Sequence, residues 1–232
     1  MTVSTTEYRQ SRFVPPPGAT ELLLVRHGES AAARPDRLFP LVDGQGDPEL
    51  APDGVVQARR VGARLAAAGV GAIYVTNLRR TAQTAAPLVE ATGLAAVVER
   101  DLREVHLGEW EGGALRWKVA EGDPLVARMR AEQRWDVIPG AEGLDALRER
   151  IGAAVRRIHA AQPGRRVAVF THGGVIAQVL AVATGAEPFA FLGADNGSLS
   201  HVVVDGDSWR VRRFNDTAHL AGDLSVAGEA QT

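Results

Sequence analysis

The sequence predicts an α/β fold with three layers, α/β/α, in which a mostly parallel central sheet carries a small helical lobe. Short apolar runs alternate along the 232 residues with longer segments that have apolar residues at helical spacing. Strands that alternate with helices are typical of parallel crossovers, which cover a sheet on both faces. Hydrophobic residues make up 45% of the chain, as expected for a sizeable buried core.

Six strands are predicted. Four come from the apolar runs at residues 21–25, 72–75, 95–98 and 167–170. Two more lie within residues 201–214, where an Asp-Gly pair between alternating strands indicates a hairpin turn.

Three longer helices are predicted at residues 55–69, 81–93 and 144–161. The first ends at Gly69, and the second contains Pro87, which limits or kinks it. The third carries one apolar stripe, formed by Leu147, Ile151, Val155 and Ile158. Residues 110–139 are less regular and contain three tryptophans, so we expect a helical lobe with these side chains in its core.

We expect one catalytic domain at residues 21–220, between flexible tails at residues 1–20 and 221–232. The first twenty residues are polar and end in three prolines and a glycine, without the apolar core of a signal peptide. No apolar run approaches the ~20 residues that span a bilayer. The expected location is therefore cytoplasmic, with no membrane partner.

Composition excludes several other classes of function. The formal net charge of −2 argues against a nucleic-acid-binding surface. The chain has no cysteine, which excludes disulfides, zinc fingers and thiol nucleophiles.

Polar side chains follow each of the four predicted parallel strands. In sheets of this kind, ligands bind beyond the carboxyl ends of the strands, so these side chains are expected to meet at one edge. They are Arg26, His27 and Gly28, then Arg79 and Arg80, then Glu104, and finally His172 and Gly173.

This set of residues suits a phosphate group. Guanidinium groups bind phosphate oxygens in pairs, and Gly28 and Gly173 leave backbone N–H groups open to close approach. Because a second positive charge among arginines is disfavoured, His27 is expected to be neutral and able to attack phosphorus. Glu104, beside a bound phosphate, is expected to keep a proton that it can deliver to the leaving oxygen.

Five segments then identify a family. The motifs "LLLVRHGES", "TNLRRTAQTA", "LREVHLGEWEG", "VFTHGGV" and "RFNDTAHL" occur in the order used by the histidine phosphatase superfamily. The sequence resembles the phosphoglycerate-mutase-like branch of that superfamily from about residue 21 to residue 220. The resemblance implies a phosphoglycerate-mutase-like fold and a small phosphorylated substrate, with no cofactor and no metal ion.

The resemblance also implies roles for individual residues. His27 becomes phosphorylated, while Arg26 and Arg80 bind the phosphate. Glu104 matches the family's acid. His172 matches the second histidine, which bonds the phosphoryl oxygens and stabilises charge during transfer.

Other positions depart from the family's pattern or have a less definite role. Ala33 replaces an asparagine that many relatives have, and the loop at residues 31–47 is longer and expected to shape the mouth of the pocket. Ala51 replaces a threonine helix cap unless Asp53 substitutes for it. Glu29 and Ser30 are predicted to start a helix, with a role in the pocket as the alternative. Gly173 and Asn196 are further candidate pocket residues.

The sequence therefore predicts a metal-independent phosphatase that hydrolyses a phosphomonoester through a phosphohistidine on His27. The alternatives are a phosphoglycerate mutase, which returns the phosphoryl group to another hydroxyl, and a phospho-ligand binding module without turnover. The compact segment at residues 108–140 favours hydrolysis, because mutases have longer insertions between the motifs. An exposed edge strand is compatible with a homodimer.

Overall fold

The computed structural model describes residues 7–220, which contain eight strands and six α-helices. The strands are β1 (Thr20–Arg26), β2 (Leu41–Val42), β3 (Gln45–Gly46), β4 (Ala72–Val75), β5 (Ala96–Val98), β6 (Arg166–Thr171), β7 (Leu199–Asp205) and β8 (Ser208–Asp216). The helices are α1 (Pro52–Ala66), α2 (Arg79–Thr92), α3 (Ala114–Ala120), α4 (Pro124–Glu132), α5 (Leu144–Ala161) and α6 (Gly173–Thr184).

Six strands form the central sheet in the order β5-β4-β6-β1-β7-β8, and β2 and β3 form a separate hairpin. Strands β5, β4, β6 and β1 are parallel, whereas β7 and β8 pair antiparallel at one side. Arg26 at the end of β1 lies opposite Thr171 at the end of β6. The predicted mostly parallel sheet is confirmed, and the carboxyl ends of its two central strands lie side by side.

Helices cover both faces of the sheet. Because side chains alternate along a strand, Leu22 and Leu24 of β1 face one core, while Leu23 and Val25 face the other. Helices α1 and α2 pack on the second core, and α5 and α6 pack on the first. The predicted stripe of α5 is fully buried there, which confirms the three-layer architecture.

The helix boundaries differ slightly from the prediction. Helix α1 begins at Pro52 and ends at Ala66, three residues before Gly69. Pro52 suits the first turn, where its missing N–H removes no helical bond. Ala51 is the N-cap residue, and the helix has no side-chain hydrogen bond at this cap. Helix α2 runs through Pro87 and ends at Thr92, and the next residue, Gly93, adopts the left-handed conformation at φ 70°.

The helical lobe consists of α3, α4 and two 3₁₀ turns, Gly108–Gly113 and Trp135–Val137. Trp110 and Trp135 are buried and belong to the same core as α5 and α6, while Trp117 is partly buried against it. The predicted lobe is confirmed, and two of its three tryptophans form its core.

The prediction that a helix starts at Glu29 and Ser30 is wrong. Ser30 instead pairs with Leu50 in an isolated β-bridge. The carbonyl of Glu29 accepts from the N–H of Ala51 at 2.9 Å. The backbone of this segment therefore pairs across to residues 49–51 and does not bond within a helical turn.

Two glycines allow the start of α1 to lie against the segment that follows β1. A Cβ atom on Gly28 would lie 2.5 Å from the carbonyl oxygen of Gly54. A Cβ atom on Gly54 would lie 2.0 Å from the carbonyl oxygen of Glu29. Main chain packs directly on main chain here, which fixes the position of residues 27–29.

Strand β1 begins at Thr20. This residue, the last of the predicted tail at residues 1–20, therefore belongs to the sheet. Ala19 and Thr20 are buried. The tail predicted at residues 221–232 lies outside the described residues, as do residues 1–6. Within residues 7–220, none of the helices combines the length and apolar character needed to cross a membrane.

Candidate active site

The two histidines singled out by the sequence lie at the ends of the two central strands. His27 follows β1, and its N–H donates to the carbonyl of Thr171 at 3.0 Å. His172 follows β6 and is the N-cap residue of α6. The centroids of the two imidazole rings are 5.2 Å apart, and the ring planes meet at 63°.

One ring nitrogen of His27 is held by the backbone. Nδ1 lies 2.7 Å from the carbonyl oxygen of Gly28. Because a carbonyl only accepts, Nδ1 carries the hydrogen, and Nε2 of the neutral ring has the free lone pair. Burial lowers the pKa of His27 well below its usual value, and the positive charges of Arg80 and Arg26 lower it further. The ring is therefore neutral at pH 7, with Nε2 able to act as a nucleophile.

His172 is fully buried beside His27. Its Nε2 lies 3.0 Å from Oγ1 of Thr76, which follows β4. Its Nδ1 is buried and has no hydrogen-bond partner among the described residues. Burial lowers the pKa of His172 well below its usual value, and Arg80 is the next cause. The second histidine thus presents one unpaired ring nitrogen in a positively charged environment.

Arg26 and Arg80 lie close to His27, as predicted. Arg26 donates to the carbonyl of Ala194, and its Nε is buried without a partner among the described residues. Arg80 is 7% exposed and donates to the carbonyl of Gly46 at 2.9 Å. Burial lowers the pKa of Arg80 to about 10. The Arg80 guanidinium is therefore charged at neutral pH.

Arg116 of α3 is a third arginine of the site, which the sequence analysis missed. Its two terminal nitrogens donate to Ser30 Oγ at 2.6 Å and to the carbonyl of Ala31 at 2.8 Å. Burial lowers the pKa of Arg116, and the charge of Arg26 lowers it further. The sequence shows only an arginine within the partly apolar segment of the lobe. Its place in the site depends on how the lobe packs against Ser30 and Ala31, which the sequence does not show.

Glu104 faces the same site from the loop after β5. Its Oε1 accepts from the N–H of Val105 at 3.0 Å, and its Oε2 accepts from the N–H of Gly174 at 3.4 Å. The second bond comes from the first turn of α6, where backbone N–H groups have no partner within the helix. The carboxyl group is thus held in place by backbone donors.

Arg150 of α5 fixes the segment that carries Glu104. It donates to the carbonyls of Asp101, Arg103 and Glu104 at 2.6, 2.9 and 3.0 Å. It also forms a two-pronged ion pair with the carboxylate of Glu142, at 2.6 and 2.7 Å. This partly buried arginine is a second residue that the sequence analysis missed, since the helical pattern of α5 gives it no special character.

The remaining candidates have different surroundings. Ser30 is buried and bonds Arg116, whereas Glu29 is exposed. Gly173 lies beside Arg26, and a Cβ there would be 3.5 Å from Arg26 Nε. Asn196 donates to the backbone carbonyl of His27 at 2.9 Å, so it supports the main chain at the histidine.

Some of these side chains line a cavity of about 120 Å³, which we call the arginine pocket; His172 lies next to His27 but is not part of its lining. Its cations are Arg26, Arg80 and Arg116, and His27 and Glu104 also line it. The loop at residues 31–47 contributes Phe39, Gln45 and Gly46, which agrees with its predicted place at the pocket mouth. The arrangement can bind a small dianion next to a neutral imidazole and a carboxyl group.

Within residues 7–220, no group of three or more His, Asp or Glu side chains is arranged to hold a metal ion.

Comparison with known proteins identifies the family. The family model of the histidine phosphatase superfamily (branch 1) matches residues 22–217. Phosphoglycerate mutase-like protein 4 of Arabidopsis thaliana is 32% identical over 204 residues, which are 86% of this chain and 86% of that protein. Metal-independent phosphoserine phosphatase of the same plant is 31% identical over 207 residues, 87% of this chain and 84% of that protein.

A solved structure gives the same result. The native structure of a mycobacterial glucosyl-3-phosphoglycerate phosphatase has a TM-score of 0.70 and 28% sequence identity, covering 86% of this chain and 100% of that chain. The ordered motifs, the phosphoglycerate-mutase-like α/β fold and the family match agree, and the chain belongs to branch 1 of the histidine phosphatase superfamily.

Proposed function

We propose that the chain is a metal-independent phosphomonoesterase that works through a phosphohistidine on Nε2 of His27. The observation that carries the proposal is the state of this ring. Nδ1 is held by the Gly28 carbonyl, so the free lone pair is on Nε2, and burial among arginines keeps the ring neutral. A neutral imidazole beside a dianion-binding pocket is suited to attack phosphorus.

The three arginines of the pocket bind the phosphate. Their charges offset the two negative charges of a phosphomonoester, and guanidinium groups match the geometry of its oxygens. Arg116 bonds Ser30 and Ala31, in the same loop as Ala33, where many relatives have an asparagine. We therefore assign to Arg116 the hydrogen-bond donor that Ala33 cannot supply.

In the first step, the lone pair of His27 Nε2 forms a bond to phosphorus while the ester P–O bond breaks. Glu104, in its protonated form, gives its proton to the departing oxygen, which leaves as an alcohol. His172 lies next to His27, and its unpaired Nδ1 can bond a phosphoryl oxygen as charge develops. The products of this step are the alcohol and a phosphohistidine.

In the second step, water attacks the phosphohistidine. Glu104, now a carboxylate, accepts a proton from the water as the new P–O bond forms and the P–N bond breaks. Inorganic phosphate leaves, and both His27 and protonated Glu104 are restored. Only groups of this chain and one water molecule are required. The similarity to a protein described as a metal-independent phosphatase supports this reading.

A phosphoglycerate mutase is the second candidate, favoured by the similarity to a mutase-like relative. A mutase passes the phosphoryl group from His27 to another hydroxyl group before water reaches it. The two reactions differ in whether inorganic phosphate accumulates in solution.

The test is phosphate release from a panel of phosphomonoesters in the presence of EDTA. The wild-type protein is compared with His27→Ala and with His159→Gln, a substitution on α5 away from the site. We expect release by the wild type and by His159→Gln, and a loss of at least ~10³-fold in His27→Ala. A mutase would instead convert 3-phosphoglycerate to 2-phosphoglycerate without releasing phosphate. A folded protein that binds phosphate but turns over no substrate would contradict both candidates.

A further inference from the structure

A second cavity, of about 280 Å³, adjoins the arginine pocket. We call it the lobe cavity. Most of its wall is apolar, and the main contributors are Leu107, Leu115, Val119, Met129, Trp135 and Leu192. Arg26 and Glu104 line both cavities, whereas His27 and Arg80 line the arginine pocket and not the lobe cavity.

This placement puts the lobe cavity on the side of the leaving group. In an in-line displacement, the leaving oxygen departs from the face of phosphorus opposite the nucleophile. The cavity contacts Glu104, the proposed proton donor to that oxygen, but not His27, the proposed nucleophile. The organic part of an ester bound in the arginine pocket therefore extends from Glu104 into the lobe cavity.

The wall of the lobe cavity selects against polar groups. Apart from Arg26 and Glu104 at the shared end, Arg130 is its one charged side chain among the described residues, and it is exposed. A long arginine side chain keeps its charged end in water while its stem covers apolar surface. A sugar or glycerate hydroxyl against the leucine, valine, methionine and tryptophan side chains would lose its hydrogen bonds to water.

We propose that the lobe cavity binds the alcohol part of the phosphomonoester and that this part is an apolar group about the size of a two-ring aromatic system. The proposal rests on the function proposed above, since it uses Glu104 to locate the leaving oxygen. An apolar cavity of ~150 Å³ holds one benzene ring, so the lobe cavity has room for roughly two. The favoured substrates are therefore apolar phosphomonoesters, in preference to sugar phosphates or phosphoglycerates.

The first experiment varies the alcohol while keeping its acidity similar. The substrates are ethyl, propyl, butyl, hexyl and octyl phosphate, together with 2-(1-naphthyl)ethyl phosphate, all of them esters of primary alcohols. We expect kcat/KM to rise about fourfold for each added methylene until the cavity is full, from ~0.8 kcal/mol per buried methylene. Propyl phosphate should also exceed glycerol 1-phosphate, which has the same carbon chain with two added hydroxyl groups.

The second experiment changes the wall. Val119→Asp places a charge in the cavity, and Val56→Asp makes the same change on the exposed face of α1. We expect Val119→Asp to lower the ratio of kcat/KM for octyl over ethyl phosphate at least tenfold, and Val56→Asp to leave this ratio unchanged. Leu192→Asn, in the loop after α6, provides a second change of the wall if Val119→Asp does not fold.

The outcomes separate this proposal from the proposed function. Phosphate release that does not depend on chain length, or that favours glycerol 1-phosphate, would overturn the apolar leaving group and leave the phosphatase intact. If no ester is hydrolysed, the proposed function fails, and the cavity is tested by quenching of tryptophan fluorescence with 2-(1-naphthyl)ethylphosphonate. Quenching that Val119→Asp or Leu192→Asn weakens would support the cavity without turnover, and no quenching would overturn it.

Discussion

Substitution of Gly174 by alanine is expected to displace the proposed proton donor without removing any catalytic group. Gly174 lies in the first turn of α6, where its N–H bonds the carboxyl group of Glu104. A Cβ atom at this position would lie 2.7 Å from Glu104 Oε1 and 2.8 Å from Val105 Cγ2. Both distances are shorter than ordinary van der Waals contact, which begins at 3.4 Å.

The size of the effect follows from these distances. To restore a contact of 3.4 Å from 2.7 Å, the carboxyl oxygen has to move by about 0.7 Å. A misplacement of ~1 Å in an active site costs about a hundredfold in rate, so a shift of this size is expected to cost roughly 25-fold. The crowding of Val105 adds an expected ~1–3 kcal/mol of lost stability.

The assay exploits the dependence on the leaving group. An alkyl alcohol needs a proton to depart, whereas p-nitrophenolate is stable without one. Gly174→Ala should therefore lower kcat/KM about 25-fold for butyl phosphate and only slightly for p-nitrophenyl phosphate. Gly152→Ala in α5 is the matched control, because its Cβ would meet only the end of the Arg156 side chain, at 3.4 Å. An equal loss on both substrates would refute the reasoning, since Gly174 would then act through phosphate binding or folding.

Three further predictions concern the charges around the site. Arg116→Met should lower kcat/KM for all phosphomonoesters by roughly 10- to 100-fold, because the charged hydrogen bond proposed between Arg116 and the phosphate is lost. Steady-state kinetics measures this decrease in kcat/KM. Arg150→Lys should lower kcat for butyl phosphate more than for p-nitrophenyl phosphate, because the carbonyl bonds that position Glu104 are lost while the charge is kept. The stability of the protein should fall from pH 7 to pH 5. The pKa values of His27 and His172 in the folded protein lie below the value near 6.5 in the unfolded chain. As the pH falls, the unfolded chain therefore takes up protons first, and the free energy of unfolding decreases by up to ~2 kcal/mol for each histidine at pH 5. Urea unfolding at the two pH values measures this loss.

Each of these predictions has its own control. Arg128→Met, on the exposed face of α4, should leave kinetics unchanged, and a loss equal to that of Arg116→Met would show a general effect of charge. Uniform loss on both substrates in Arg150→Lys would mean that Arg150 stabilises the fold without positioning Glu104. For the pH effect, a His27→Asn, His172→Asn double variant should lose less stability between pH 7 and pH 5 than the wild type. An equally steep loss in this variant would assign the effect to other groups.

Features that depend on local patterns could be predicted from the sequence. Helix α5 has its predicted bounds at residues 144–161, and β1 extends the predicted strand by one residue at each end. The pairing of His27 with His172 was also predictable, because each follows an apolar run and the carboxyl ends of parallel strands share one edge.

Features that depend on packing between distant segments could not be predicted. Arg116 reaches Ser30 across 86 residues of sequence, and Arg150 reaches the Glu104 carbonyl across 46. Neither spacing leaves a signal in a local window. The prediction of a helix start at Glu29 and Ser30 was wrong for the same reason: an acid and a capping serine favour a helix start locally, but the backbone here pairs with residues 49–51.

The close approach between the segment after β1 and the start of α1 limits which residues can replace Gly28 and Gly54 during evolution. The atoms that obstruct a side chain at Gly28 and at Gly54 are main-chain oxygens, which every amino acid possesses. A second mutation elsewhere therefore cannot make room by shortening a neighbouring side chain. In a saturation library, both positions should tolerate glycine alone, and selection for suppressors should recover none that act by trimming a side chain. Any change in the segment that carries His27 therefore requires a matching change in the first turn of α1.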